Sequence, residues 1–168
     1  MVRVMRRELY EMICKRLSML YFDGQAYELY EEGDVPEGWE RAIRHIDLWN
    51  HNVEYIEQEE QWERPAVFVE FEPIRWNVLV GRVEYRAKPM VSLHVVTDWQ
   101  GSSAASSEMR GKSLEVFDLL EAIHNVLCGM KGDTFVGFDL VESVTNHNHD
   151  EIIENVERYQ CVGVKRLL

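Results

Sequence analysis

No apolar run in this sequence approaches the roughly 20 residues that a membrane-spanning helix needs. The amino-terminal stretch also has no continuous apolar segment of signal-peptide type. Together these absences lead to an expected location in a cytoplasm and no membrane partner. Cysteine is scarce. Cys14, Cys128 and Cys161 are far apart, odd in number, and fall in no CxxC or zinc-finger spacing. That excludes a disulfide framework and leaves three reduced thiols acting as small hydrophobes. Basic residues are in the minority, 18 Lys and Arg against 30 Asp and Glu, for a net charge of −12 and a pI near 4.9. A nucleic-acid binder would instead carry basic patches and a pI above about 9, so no sequence-specific nucleic-acid binding is expected. Catalytic signatures are missing too. The chain has no GxSxG, Walker A loop, GxGxxG, HExxH or HxxEH.

What is present is ordinary for a globular chain. Its 168 residues, 46% of them hydrophobic, suffice for one domain with a real core. The acidity is uneven. "YELYEEGD" (27–34) and "EYIEQEEQWE" (54–63) hold much of it, while Arg3, Arg6, Arg7, Lys15 and Arg16 make the amino terminus basic. Residues 23–63 therefore read as an acidic, insertion-like segment within a single domain, 1–168.

Residues 4–21 place Met5, Leu9, Met12, Ile13, Leu17 and Leu20 near helical spacing and predict an amphipathic helix. "FDG" (22–24) stops it. A short helix is predicted near 36–44, with Pro36 in its first turn and Trp39 and Ile43 on one side. The acidic, aromatic stretch that follows is read as a loop, a short strand at 52–57, or an insertion that packs on a neighbour. From Pro65 the period becomes two. Strands are predicted at 66–74, 77–87 and 90–99, with antiparallel pairing through their short connections. Ser113 is expected to cap a helix over 114–128, whose Val116, Leu119, Leu120, Ile123, Val126 and Leu127 repeat at i, i+3, i+4, i+7. Gly129 ends that helix. Strands at 134–146 and 152–167 follow. The implied fold class is α+β, a mainly antiparallel sheet with an N-terminal and a central helix packed on one face. Leu9, Ile13, Leu17, Val116, Leu120, Ile123 and Leu127 are the expected core.

The candidate metal ligands are His147, His149 and Asp150 in "NHNHDE" (146–151), which falls between the last two strands. Asn, His and Asp are turn residues. A zinc site would need a third or fourth ligand that no spacing marks, and the HNH nuclease motif spreads its ligands and base over a longer ββα unit. The segment therefore reads as a solvated hairpin turn, with no metal, cofactor or catalytic residue expected. "GSSAASS" (101–107) offers serines, but a flexible loop does not preorganise a nucleophile without a base and an oxyanion hole. Residues 100–112 instead read as a mobile loop that cannot bury enough apolar area to order alone. Its assembly candidates are Gln100, Ser103, Ser106, Arg110 and Lys112.

Several pieces, taken in order, carry a resemblance. They are the N-terminal amphipathic helix, "RPAVFVEF" (64–71), "YRAKPMVSLHVVTD" (85–98), "GSSAASS" (101–107), "LEVFDLLEAIHNVL" (114–127) and "VERYQCVGV" (156–164). Over residues 1–22 and 64–168 this order resembles the tail-completion and tail-terminator proteins of long-tailed bacteriophages and prophages. Residues 23–63 depart from it, being longer and more acidic than the usual connection. The resemblance implies a non-enzymatic virion assembly part. It implies a homo-oligomeric ring, typically a hexamer, at the head–tail junction, with tail-tube and head-connector proteins as partners. The location would be the cytoplasm of the bacterial host during assembly and then the virion. On the residues alone two other readings stay open. One is a small metal-dependent hydrolase or nuclease using the 146–151 His/Asp/Glu cluster. The other is a cytoplasmic adaptor that binds a peptide on an open sheet edge.

Overall fold

A computed structural model describes residues 4–50, 62–79, 81, 83–146 and 151–166. Helix α1 (Met5–Ser18) forms where Leu9, Ile13 and Leu17 recur every fourth residue, and all three are fully buried. Glu8 lies in its first turn and Lys15 and Arg16 in its last, each favourable to the helix dipole. The helix stops before residue 21, because Leu20 and Tyr21 enter strand β1 (Leu20–Phe22). β1 pairs antiparallel with β2 (Tyr27–Leu29) and with β3 (Glu40–Arg41).

The helix expected near 36–44 is not there. Gly38 takes φ +90°, outside the helical region, and Trp39 N–H closes a turn onto Pro36 O. Trp39 packs edge-on against Tyr30, Ile43 is buried, and the chain runs on into β4 (His45–Leu48). The loop or strand expected over 52–57 lies outside the described residues.

The larger sheet runs β4–β5–β8–β10, with β5 (Ala66–Phe71), β8 (Met90–Asp98) and β10 (Ile152–Arg166). β4 joins β5 in parallel and the other pairings are antiparallel. The stretch expected as one strand over 77–87 is a hairpin instead, β6 (Asn77–Val78) and β7 (Glu84–Ala87), with Gly81 at φ +83° between them. β7 pairs with the late part of β10 and not with its sequence neighbour β8, because β5 and β10 already occupy both edges of β8. β9 (Phe135–Asn146) pairs along the other edge of β10 and is an edge strand among the described residues.

One face of this sheet carries Val67, Val69, Val91, Leu93, Val95, Tyr159 and Cys161, in the period of two expected from the sequence. With α1 and helix α3 (Glu115–Leu127) it makes the main core. Burying each large aliphatic side chain there contributes about 1.5–3 kcal/mol. Ile123 and Leu127 are fully buried as expected, but Val116 and Leu120 are only half-buried. α3 sits rotated so that Leu119, Ala122 and Val126 face inward, and Leu120 turns toward β9.

Ser113 does not cap α3. It closes a separate turn of helix, α2 (Arg110–Ser113), and its hydroxyl donates to Arg110 O at 3.0 Å. The N-cap position falls on Leu114, whose backbone stays helical. The extended conformation a capping serine needs never occurs there.

The opposite face is polar at its centre. His94 Nε2 is 2.8 Å from Glu70 Oε1, and Nδ1 is 3.3 Å from Glu154 Oε2. Trp49 lies flat on the imidazole with ring centroids 3.7 Å apart. Beside it, Ser92 Oγ donates to Glu72 and Arg158 to Glu142. Ala66, Phe68, Val96 and Ile152, covered by Trp49 and Trp62, form a second small core on this face.

Candidate assembly surface

The segment between β8 and α3 is built from small residues and holds itself by local bonds. Ala104 N–H donates to Ser102 Oγ, Ser107 N–H to Ala104 O and Arg110 Nη1 to Ala105 O. Gly101 takes φ +99°, and a Cβ there would stand 3.1 Å from the Cβ of Met109. Such close approach favours glycine. The expected loop candidates are thereby divided. Gln100 and Lys112 line a cavity of about 470 Å³, together with Arg41, Arg64 and Asp98. Ser103 lines a different groove. Ser106 and Arg110 are exposed and line neither.

The groove that takes Ser103 is walled by Trp99, Leu114 and Phe117 and floored by Thr145 and Ile152. It continues along the outer side of α3, where Phe117, Leu120, Leu140 and Val144 line the seam between the helix and β9. Trp99 is 59% exposed and Phe117 57%, a large apolar area left facing solvent. The seam forms where α3 has packed Ile123 and Leu127 into the core and leaves Leu120, with Leu140 of β9, half-buried at its outer side. β9 itself is irregular. Arg158 pairs with Glu142 but Tyr159 with Leu140, so Val141 bulges out, and a second shift falls between Gln160 and Val162. Bulges of this kind discourage indiscriminate pairing at an open edge.

A second apolar feature lies across β10 from β9. On the β6–β7 hairpin, Val78, Leu79 and Val83 are all exposed. Leu79 N–H closes the hairpin onto Glu84 O at 2.9 Å.

His147, His149 and Asp150 lie outside the described residues. Of the residues bounding them, Asn146 Nδ2 donates to Glu154 Oε1 at 2.6 Å, and Glu151 O accepts from Trp99 N–H at 3.1 Å. Among the described residues, no serine, threonine or cysteine side chain is hydrogen-bonded to a histidine.

The seam was only partly legible beforehand. Phe117 falls outside the apolar repeat of its helix, and that misplacement is the signal for it. The hairpin had no such signal, since Val78 and Val83 fit a single buried strand equally well. No described helix is long and apolar enough to cross a membrane. No protein-family model matches the chain, and no curated protein matches it.

Proposed function

We propose that this protein is a structural assembly subunit of a bacteriophage or prophage virion. In this reading it is a ring-forming tail-completion or tail-terminator protein at the head–tail junction, working with tail-tube and head-connector partners. The observation that carries the proposal is a pair of exposed apolar surfaces on opposite sides of β10. One is recessed, along the α3–β9 seam. The other is formed by exposed Val78, Leu79 and Val83 of the β6–β7 hairpin. Seating the hairpin of one copy in the seam of the next gives a head-to-tail contact, and such contacts generate rings when their rotation closes. The α+β order of helix, strands, helix, strands supports the reading, as it agrees with the resemblance in the sequence. The net charge of −12 supports it as well. An acidic ring offers few counter-charges to phosphate, so DNA passes without sticking.

The test is native mass spectrometry with light scattering across a concentration series. The expected result is one closed species at an integer multiple of 19.8 kDa, hexameric in the favoured case. Phe117→Asp and Val78→Asp should each give monomers whose melting temperature is unchanged. Replacing Gln100–Lys112 by a tight Gly-Ser turn should likewise spare the monomer and abolish the ring, because Ser103 belongs to the seam's wall. A parent protein that stays monomeric at the highest concentration would refute the proposal.

A further inference from the structure

At the carboxyl end of α3 three metal-ligating side chains meet. His124 and Cys128 are one helical turn apart, and Cys128 N–H donates to His124 O at 2.8 Å to close that turn. Asp139 enters from β9. It is held at the helix end because Gly129 N–H donates to Phe138 O at 2.8 Å and Phe138 N–H donates to Met130 O at 3.3 Å. One ligand atom from each of the three lies within 4.8 Å of the other two. Cys128 Sγ stands 3.3 Å from Asp139 Oδ1. Around a tetrahedral zinc ion, ligand atoms at the usual bond lengths stand about 3.3–3.6 Å apart. The sulfur–oxygen edge is already that short. The imidazole edges close with a movement of about 1.5 Å or less, from the same bond lengths.

A second observation is independent of this spacing. His124 makes no side-chain hydrogen bond among the described residues, and its Nδ1 is sealed from solvent without a partner. The hydroxyl of Tyr159, whose ring lies 6.2 Å from the imidazole, is an orphan too. Buried polar atoms without a partner are the exception in native structures, and a cation on the imidazole would satisfy the one on His124.

We propose that His124, Cys128 and Asp139 bind a borderline-soft divalent cation, zinc being the best match, with the fourth position open to solvent. The donor set of one imidazole nitrogen, one sulfur and one carboxylate oxygen selects zinc over magnesium or calcium, which take oxygen ligands. Cys128 and Asp139 are exposed, so the fourth position faces outward. Glu121 and Glu157 line the adjoining groove with His124 and add negative charge around the cation. Without metal, Cys128 S–H donates to the Asp139 carboxylate. That bond holds the thiol above its ordinary pKa and, second to the Leu140 N–H bond, holds the carboxyl below its own. The cation replaces the thiol proton, so binding releases one proton and tightens as pH rises. The ligands come from α3 and β9, so the bound ion clips the helix end to the edge strand.

Cobalt(II) is the probe, titrated into the full chain. The expected result is one equivalent bound, with a thiolate-to-cobalt charge-transfer band and tetrahedral ligand-field bands, both displaced by zinc. The charge-transfer band should vanish in Cys128→Ser, and affinity should fall at least tenfold in His124→Gln and Asp139→Asn. A His147→Ala/His149→Ala double variant should keep the full signal. Should Cys128→Ser fail to fold, the parent decides through alkylation mapped by peptide mass, where zinc should slow modification of Cys128 at least tenfold. The proposal is overturned by a parent without the thiolate band, by a band that survives in Cys128→Ser, by loss of binding in the double histidine variant, or by a Cys128 that zinc leaves unprotected.

Discussion

Glu8 is the sharpest test of how the first helix is fastened to the rest of the fold. Its side chain is buried, and its Oε1 accepts two hydrogen bonds from a residue 126 positions away: Thr134 N–H at 2.9 Å and Thr134 Oγ1–H at 2.8 Å. The same oxygen lies against Gly132, where a Cβ would stand 2.3 Å from it. Glu8→Ala removes the acceptor and leaves an amide and a hydroxyl facing a new cavity. Each charge-assisted bond is worth about 1.5–3 kcal/mol. The Thr134 hydroxyl is half-buried and can turn to water, so the two losses do not sum fully. The expected cost is about 3 kcal/mol. For a chain of this size that lowers the melting temperature by about 6–12 °C. Glu8→Gln keeps an oxygen in place and should lose only about 1 kcal/mol. Gly132→Ala attacks the same contact from the other side and should also destabilise. Urea titration reads all three, as a lower midpoint at unchanged slope. Should Glu8→Ala fall within about 0.5 kcal/mol of the parent, the level of an ordinary surface change, the fastening argument fails.

Two further outcomes follow from the packing and the ionisable groups. Ile123→Ala, at a fully buried site, should cost about 2–5 kcal/mol, whereas half-buried Leu120→Ala should cost about 1 kcal/mol, so equal losses in urea would contradict the rotated placement of α3. Burial pushes the Tyr27 phenol up to about 12 and raises those of Tyr10 and Tyr159 as well, against 10.0 for a free phenol. The folded chain therefore keeps protons that the unfolded chain gives up, and stability is whole below pH 10 and falls as pH rises through about 12. Tyrosinate absorbance from Tyr27 should appear only near pH 12, above that of a free phenol, and ionisation of all three near pH 10 in an intact fold would refute the assignment.

The strands at 66–71, 90–98 and 152–166 could be read directly because their alternation is enforced by burial. One face packs on helices, so Val91, Leu93 and Val95 must be apolar together. The same logic found Leu9, Ile13 and Leu17 on α1. It failed where a single glycine decided the backbone. Gly38 turned a plausible helix into a turn and a strand, and Gly81 cut one strand into a hairpin. It was silent on interactions between segments distant in sequence. Nothing local in Glu8 names Thr134, and nothing in His94 names Glu70, Glu154 and Trp49. The triad of His124, Cys128 and Asp139 was hidden for the same reason. Its histidine and cysteine are a turn apart at the carboxyl end of α3, off that helix's apolar repeat, and the third member arrives from the next strand. Of the loop candidates, composition located the segment, but the walls it builds come from Trp99, Leu114 and Phe117 around it.

β10 carries a kinetic consequence. It is the last strand in the described chain, yet β8 and β7 pair along one of its edges and β9 along the other. On the ribosome, β5 and β8 can meet early, and α3 can form as it emerges. Neither β9 nor the β6–β7 hairpin has a place in the sheet until residues 152–166 have left the exit tunnel. Closing the sheet thus depends on contacts between distant segments, which slows folding relative to local topologies. Until then the edges of β8 and β9 that pair with β10 stay open, and nascent chains at high concentration are exposed to mispairing. A codon-level slowdown just before this strand would lengthen that window and lower the yield of folded chain. Supplying residues 152–166 as a separate peptide to a chain truncated before them should rescue it.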